Sequence, residues 1–239
     1  MATRPEGRYA VAGRADVAQI DVGLREYMLR VYNYMAGGLA LTGLLAYFTA
    51  SSPTMLQLIF GTPLRYVVIF APFALVLFMG FRIHKMSLGA AQLTYWAYAA
   101  LNGLAFASIF IVYTHTSIAR VFFITAGTFA AMSLYGYTTR RDLTGMGNFL
   151  FMGLIGIVIA ALVNLFMQSS ALAFAISVIG VIVFVGLTAY DTQKIKEWYV
   201  ASDDSATMGK KAVYGALTLY LDFINLFLML LRLFGTSRN

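Results

Sequence analysis

The chain has 239 residues, of which 60% are hydrophobic and only 11% charged, and its mean hydropathy is +0.77. A soluble domain is about a quarter charged, so this composition excludes one and implies an all-α polytopic membrane protein. The absence of cysteine excludes disulfides, thiol nucleophiles and thiolate metal sites. The two histidines, His84 and His115, stand near the ends of apolar segments and do not suggest a shared metal site. The net charge of +7 is read as loops facing anionic lipid, with no nucleic-acid partner.

The first 29 residues, with "MATRPEGRYAVAGRADVAQIDVGLREYMLR" running one further, are polar. They lack an apolar core followed by a small-residue cleavage site and are read as a cytosolic tail, not a signal peptide. Val22 to Arg30 forms a weakly amphipathic stretch that would either lie on the membrane surface or be solvated. Residues 30–235 are read as one transmembrane domain and 236–239 as a short C-terminal tail.

Crossing the bilayer core takes about 20 apolar residues, and the charge-free gaps supply the spans. The first runs from Val31 to Ala50 and stops at the polar "SSPT" turn. The second lies between Arg65 and Arg82 and contains Pro72, a candidate break. The third runs from Ala91 to Tyr113, and the fourth lies between Arg120 and Arg140. The gap from Asp142 to Asp191 is too long for one helix and divides at "MQSSA", Met167 to Ala171, into a fifth and a sixth. The seventh fills the gap from Lys211 to Arg232. With the N-terminus inside, 13 of the 17 basic residues fall on inner segments, so the N-terminus is expected in the cytoplasm and the C-terminus outside. A re-entrant seventh helix would instead return the C-terminus to the inside.

Eight of the ten acidic residues fall in the N-terminal tail or in loops. The other two are Asp191, at the inner end of the sixth span, and Asp222, inside "TLYLDFINLFLML" of the seventh. A charge at mid-bilayer costs a few kcal/mol and ordinarily faces a bundle interior or a watery cavity. Asp222 is therefore a candidate functional residue, against the plainer reading of a protonated carboxyl hydrogen-bonding a neighbouring helix. Tyr214, Thr218, Asp222, Asn225, Met229 and Arg232 share one helical face, which suits either a central helix or a plain helix interface. Thr188, Asp191 and Thr192 share a face of the sixth span, and Lys194 and Lys196 mark the membrane edge.

A short loop joins spans six and seven, so the two are expected to be neighbours. Two carboxylates close together in low dielectric cannot both ionise cheaply, and such a pair holds one proton between them. Deprotonated, it would bind a hard cation. A conflict of depth remains. Asp222 lies eleven residues beyond Lys211 and Asp191 three before Lys194, which at ~1.5 Å per residue puts them at different levels. Pairing then requires a deeper sixth helix or a funnel open to the cytosol.

The strings "GVIVFVGLTAYDTQKIK" (Gly180 to Lys196) and "LTLYLDFINLFLMLLRLFG" (Leu217 to Gly235) resemble the Bax inhibitor family. "SLYGYTTRRDLTGMGNFL" (Ser133 to Leu150) is similar to its bacterial branch. The resemblance spans Leu24 to Gly235. It implies seven helices with the last one central, and a pH-sensitive calcium leak of the bacterial inner membrane. Asp191 and Asp222 would then be pH sensor, ion gate and weak, transient calcium ligands, with Thr188, Thr218 and Asn225 as a supporting polar face. It also implies a counter-ion at the inner end of the second helix, for which Arg82 is the candidate. Some relatives carry an acid in the second span; "RYVVIFAPFALVLFMGF" has none, which disfavours an ion site that needs a third carboxylate. No enzyme activity and no cofactor are expected, and calcium and protons are the expected cargo.

Competing classes differ in residues. An intramembrane aspartyl protease needs a Gly-x-Gly pattern before its second aspartate, where this chain has "LYL". A retinal protein needs a lysine in the last span, and none follows Lys211. A proton-coupled transporter would use the same buried carboxylates, but the chain shows no internal repeat. A non-transporting modulator of a membrane protease, or of another membrane protein, is the remaining alternative.

Overall fold

The computed structural model describes residues 6–238, with side chains from residue 22 onward. The described residues form eight α-helices: α1 (Glu6–Ala50), α2 (Pro53–Phe60), α3 (Leu64–Arg82), α4 (Leu88–Val112), α5 (His115–Thr138), α6 (Thr144–Met167), α7 (Ser170–Glu197) and α8 (Ser205–Phe234). A single 3-10 turn, Ile83–Lys85, extends α3. Six helices are long and apolar enough to cross a membrane alone, and the bent pair of α1 and α2 supplies a seventh candidate.

Local chemistry sets the boundaries. Side chains of Ser52, Ser87, Thr114, Ser169 and Asp204 each accept a backbone N–H in the first turn of α2, α4, α5, α7 and α8, satisfying donors that have no partner within the helix. The expected break at "MQSSA" is a left-handed Gln168, φ 49°, with the Asn164 amide oxygen accepting the Ser169 N–H. The "SSPT" turn does more than end the first span. Pro53 opens α2, an unforeseen helix bent 103° from α1. Pro72 lies buried within α3, which continues through it to Arg82, so the second span is not broken there.

No break falls at the expected tail boundary of 29/30, because α1 runs through it. Tyr27 and Met28 are buried, and Tyr27 packs on Tyr199 of the α7–α8 loop. Residues 1–5 of the expected tail lie outside the described residues. At the other terminus the chain is tied down. Thr236 O accepts the Thr114 N–H, and Arg238 donates through its N–H to Val112 O and through its guanidinium to Phe110 O. The last helix is therefore one uninterrupted element and is not re-entrant.

α8 is the most buried of the crossing helices. It packs on α7, α1, α5 and α4, while α3 leans on α4 and α6 on α7. One end of the bundle holds the start of α1, the end of α3, the α5–α6 turn and the α7–α8 loop. Of the 14 Lys and Arg from residue 22 onward, ten sit at that end and four, Arg65, Arg120, Arg232 and Arg238, at the other.

Candidate functional site: two carboxyl groups between the last helices

α7 and α8 run antiparallel, and small residues set their register. A Cβ on Gly215 would stand 2.9 Å from Ile195 Cγ2, and one on Gly180 2.9 Å from Met229 Cγ, so both pairs are in direct contact. Asp191 and Asp222 lie between these two contact points. Their carboxyl groups are within hydrogen-bonding reach of each other. From the α5 side, Gly136 presses on the Ala189 carbonyl so closely that no Cβ would fit between them. The segment carrying Asp191 is thus wedged between α5 and α8.

This register removes the conflict of depth. The start of α8 projects beyond the end of α7, because Lys211, not a residue near Ser205, reaches the α7 terminus. Its ammonium donates to Trp198 O at 2.8 Å and pairs with Asp203 at 2.5 Å. Tyr214 stacks on Trp198 with ring centroids 5.6 Å apart. Lys194 therefore sits deeper along the bundle than Lys211, and the two lysines do not mark one level.

Asp222 is 4% exposed, and its Oδ2 is buried without a hydrogen-bond partner. Asp191 is half-buried. Among the described residues neither carboxyl enters an ion pair. Arg82 is not brought to the pair. It is exposed at the end of α3, and the one ion pair among the described residues is Lys211 with Asp203.

The polar face of α8 is not turned to the bundle centre. Tyr214, Thr218, Leu221, Asn225 and Leu228 are half-buried, while Leu217, Leu219, Tyr220, Leu226 and Phe227 are buried. The stripe is the most open side of the helix, and Asp222 stands at its edge, turned to α7. Thr188, Thr218 and Asn225 each donate to a carbonyl four residues back, of Phe184, Tyr214 and Leu221. These bonds stay within their own helices and are not made to the carboxyls. Beside the stripe lies a groove of about 330 Å³ between α3, α4 and α8, bordered by Pro72, Phe73, Asn102 and Asn225.

Several contacts have no signature in the sequence. Thr42 bridges the Tyr220 hydroxyl (2.7 Å) and Ala99 O (2.8 Å), fastening α1 to α8 and α4. Gln193 accepts the Leu143 N–H and donates to Arg141 O, clamping the α5–α6 turn to α7. No group of three or more His, Asp or Glu side chains stands together among the described residues. Two carboxylates offer a cation too few ligands for a calcium shell of six to eight oxygens.

The fold and the carboxyl pair define a polytopic all-α membrane protein with an acidic site inside its bundle. A sequence profile described as "Inhibitor of apoptosis-promoting Bax1" matches residues 24–239, and the chain belongs to the Bax inhibitor family. It is 52% identical to the inner membrane protein YbhL of Escherichia coli over 93% of this chain and 96% of that protein. It is equally similar to the protein RP147 of Rickettsia prowazekii, 52% identical over 92% and 93% of the two chains. A Caulobacter vibrioides protein is 45% identical over 99% and 98%.

Proposed function

We propose that this protein is a pH-sensitive leak channel for Ca²⁺ in a bacterial inner membrane, gated by Asp191 and Asp222. The observation that carries this reading is the contact of the two carboxyls without a paired cation, beside the most open face of the central helix. With one proton between them the carboxyls attract, α7 and α8 stay in register, and the path beside α8 is closed. Loss of that proton leaves two negative charges in a low-dielectric setting, where repulsion is weakly screened. The contact loosens, and the same charges draw in a divalent cation whose remaining ligands are water. The exposed position of Arg82 makes it a residue of the approach in this reading, not a resident counter-ion. The basic end of the bundle faces the cytoplasm, as inner loops rich in Lys and Arg do.

The test is calcium uptake into dye-loaded liposomes across neutral pH, for the wild type, Asp191→Asn and Asp222→Asn. Uptake is expected to rise with pH in the wild type and to stay low and flat in either variant, since asparagine cannot lose the proton that holds the contact. Wild-type vesicles as tight as empty ones at every pH would sink the leak reading. The carboxyl pair would then act as a bond between helices, and a role as modulator of another membrane protein would remain.

A further inference from the structure

α1 and α5 each pack on α8, and between them the surface is recessed by about 500 Å³. The recess is walled by apolar side chains, among them Leu29 and Leu134, both more than half exposed at its rim. One polar bridge crosses it, the Tyr32 hydroxyl to Ser133 Oγ at 2.6 Å. None of the described side chains fills it. In a bilayer the occupant at hand for a hydrocarbon trough open to the side is an acyl chain.

The basic end of the recess identifies the headgroup. Arg25 is part of its wall and is exposed. It lies seven residues before Tyr32, about 10 Å along the helix at ~1.5 Å per residue, which places it level with the end of α5. There Tyr137 completes the wall. The Lys196 ammonium donates to Tyr137 O at 2.8 Å and stands 5.5 Å from the centre of its ring. Arg140 lies two residues past the end of α5 and is exposed. The acids at this end among the described side chains are Glu26, Asp142, Glu197, Asp203 and Asp204; all are exposed except Asp203, which is half-buried and paired with Lys211, and Asp142 accepts the Thr144 N–H at 2.8 Å. Cations above a slot between membrane helices on the basic side suit a lipid phosphate with net negative charge.

We propose that the recess between α1 and α5 is a binding site for an anionic phospholipid. Its acyl chain lies between Leu29 and Leu134, and its phosphate is held by Arg25 with Lys196 and Arg140 in support. The Tyr32–Ser133 bridge forms the floor and keeps the two helices at the separation the chain needs.

Leu134→Trp places a fluorophore on the rim. The full chain is reconstituted in phosphatidylcholine vesicles containing a minor fraction of brominated phosphatidylglycerol or, separately, brominated phosphatidylcholine. Quenching of the introduced indole is read against the native Trp96 and Trp198 signal of the unsubstituted chain. Brominated phosphatidylglycerol is expected to quench more strongly, and Arg25→Gln is expected to cut that preference about fivefold, the worth of one cation near a membrane surface. Ile155→Trp, on the outward side of α6, is expected to show no preference. Equal quenching by the two lipids at residue 134, or the same preference at residue 155, overturns the site in favour of ordinary surrounding lipid. If Leu134→Trp does not fold, native mass spectrometry of the wild type and Arg25→Gln decides. Retention of phosphatidylglycerol over phosphatidylcholine by the wild type alone upholds the site, and identical retention by both chains overturns it. These readouts are lipid contacts and do not depend on calcium flux.

Discussion

Asp222 illustrates what one residue can and cannot disclose. Its place in an apolar run marks it as costly, but its meaning comes from Asp191, 31 positions away, whose carboxyl meets it across the α7–α8 contact. The threonines and Asn225 on the same faces, legible as a polar stripe, donate to their own helices. They stand on the faces expected of them without bonding to the carboxyls, since periodicity reports a face and not where a hydroxyl rotates. Outside the membrane, Asp204 permits a prediction with a definite sign. Hydrogen bonds from Thr207, side chain and N–H, hold its carboxyl below the usual carboxylate range, with Lys210 adding to the effect. A depressed folded value means that this stabilisation is complete above the ordinary carboxylate range and is lost as the pH falls through the folded value. Asp204→Asn keeps a cap oxygen but has no charge to lose, so its unfolding midpoint in detergent should fall less steeply on acidification than that of the wild type. An unchanged acid slope would assign the effect elsewhere, first to Asp142, which is depressed in the same way by Thr144.

At the scale of elements, the contact between α7 and α8 depends on what is missing from side chains. Gly215 lets Ile195 approach to a distance that no Cβ would allow. Gly215→Val is therefore expected to destabilise the bundle by about 1–3 kcal/mol, the usual cost of overpacking. Adding Ile195→Ala should recover part of that loss, and a detergent-to-denaturant titration of the single and double variants measures both. A double variant no better than Gly215→Val would mean that the valine strains something other than this contact. Both glycines are visible in the sequence, yet small residues punctuate most of the spans, and nothing distinguishes these two as setting the register. The lysine ruler fails for the same reason. Lys194 and Lys211 both look like membrane-edge markers along the chain, but Lys211 folds back on Trp198 and Asp203 and so measures the loop, not the bilayer.

For the whole molecule, the segregation of ten basic residues to one end and four to the other predicts an orientation. The described chain begins at the basic end and finishes at the opposite one, beside the α4–α5 turn. Because the protein has no cysteine, single cysteines can report it. Ser202→Cys in the α7–α8 loop and Ser237→Cys near the C-terminus, both exposed, are to be probed with an impermeant maleimide in a bacterial inner membrane. Ser237→Cys should react in intact spheroplasts, and Ser202→Cys only in inverted vesicles. Reaction of both from one side would contradict an α8 that crosses fully.

Hydropathy and charge by themselves determined the membrane class, the number and order of the spans from α3 onward, the loop that separates α6 from α7, and the isolation of two carboxylates from every other acid. Each of these is local, because crossing a bilayer demands an unbroken apolar length and a capped end whatever the neighbours are. Only the tertiary structure decided that α1 continues through the expected tail, that α2 turns across the end of the bundle, that Arg82 stands apart from the aspartates, and that Asp191 lies level with Asp222. These depend on the register between helices. In lipid, register is set by van der Waals contact at a few small residues and by isolated hydrogen bonds, and such contacts leave no period along the chain.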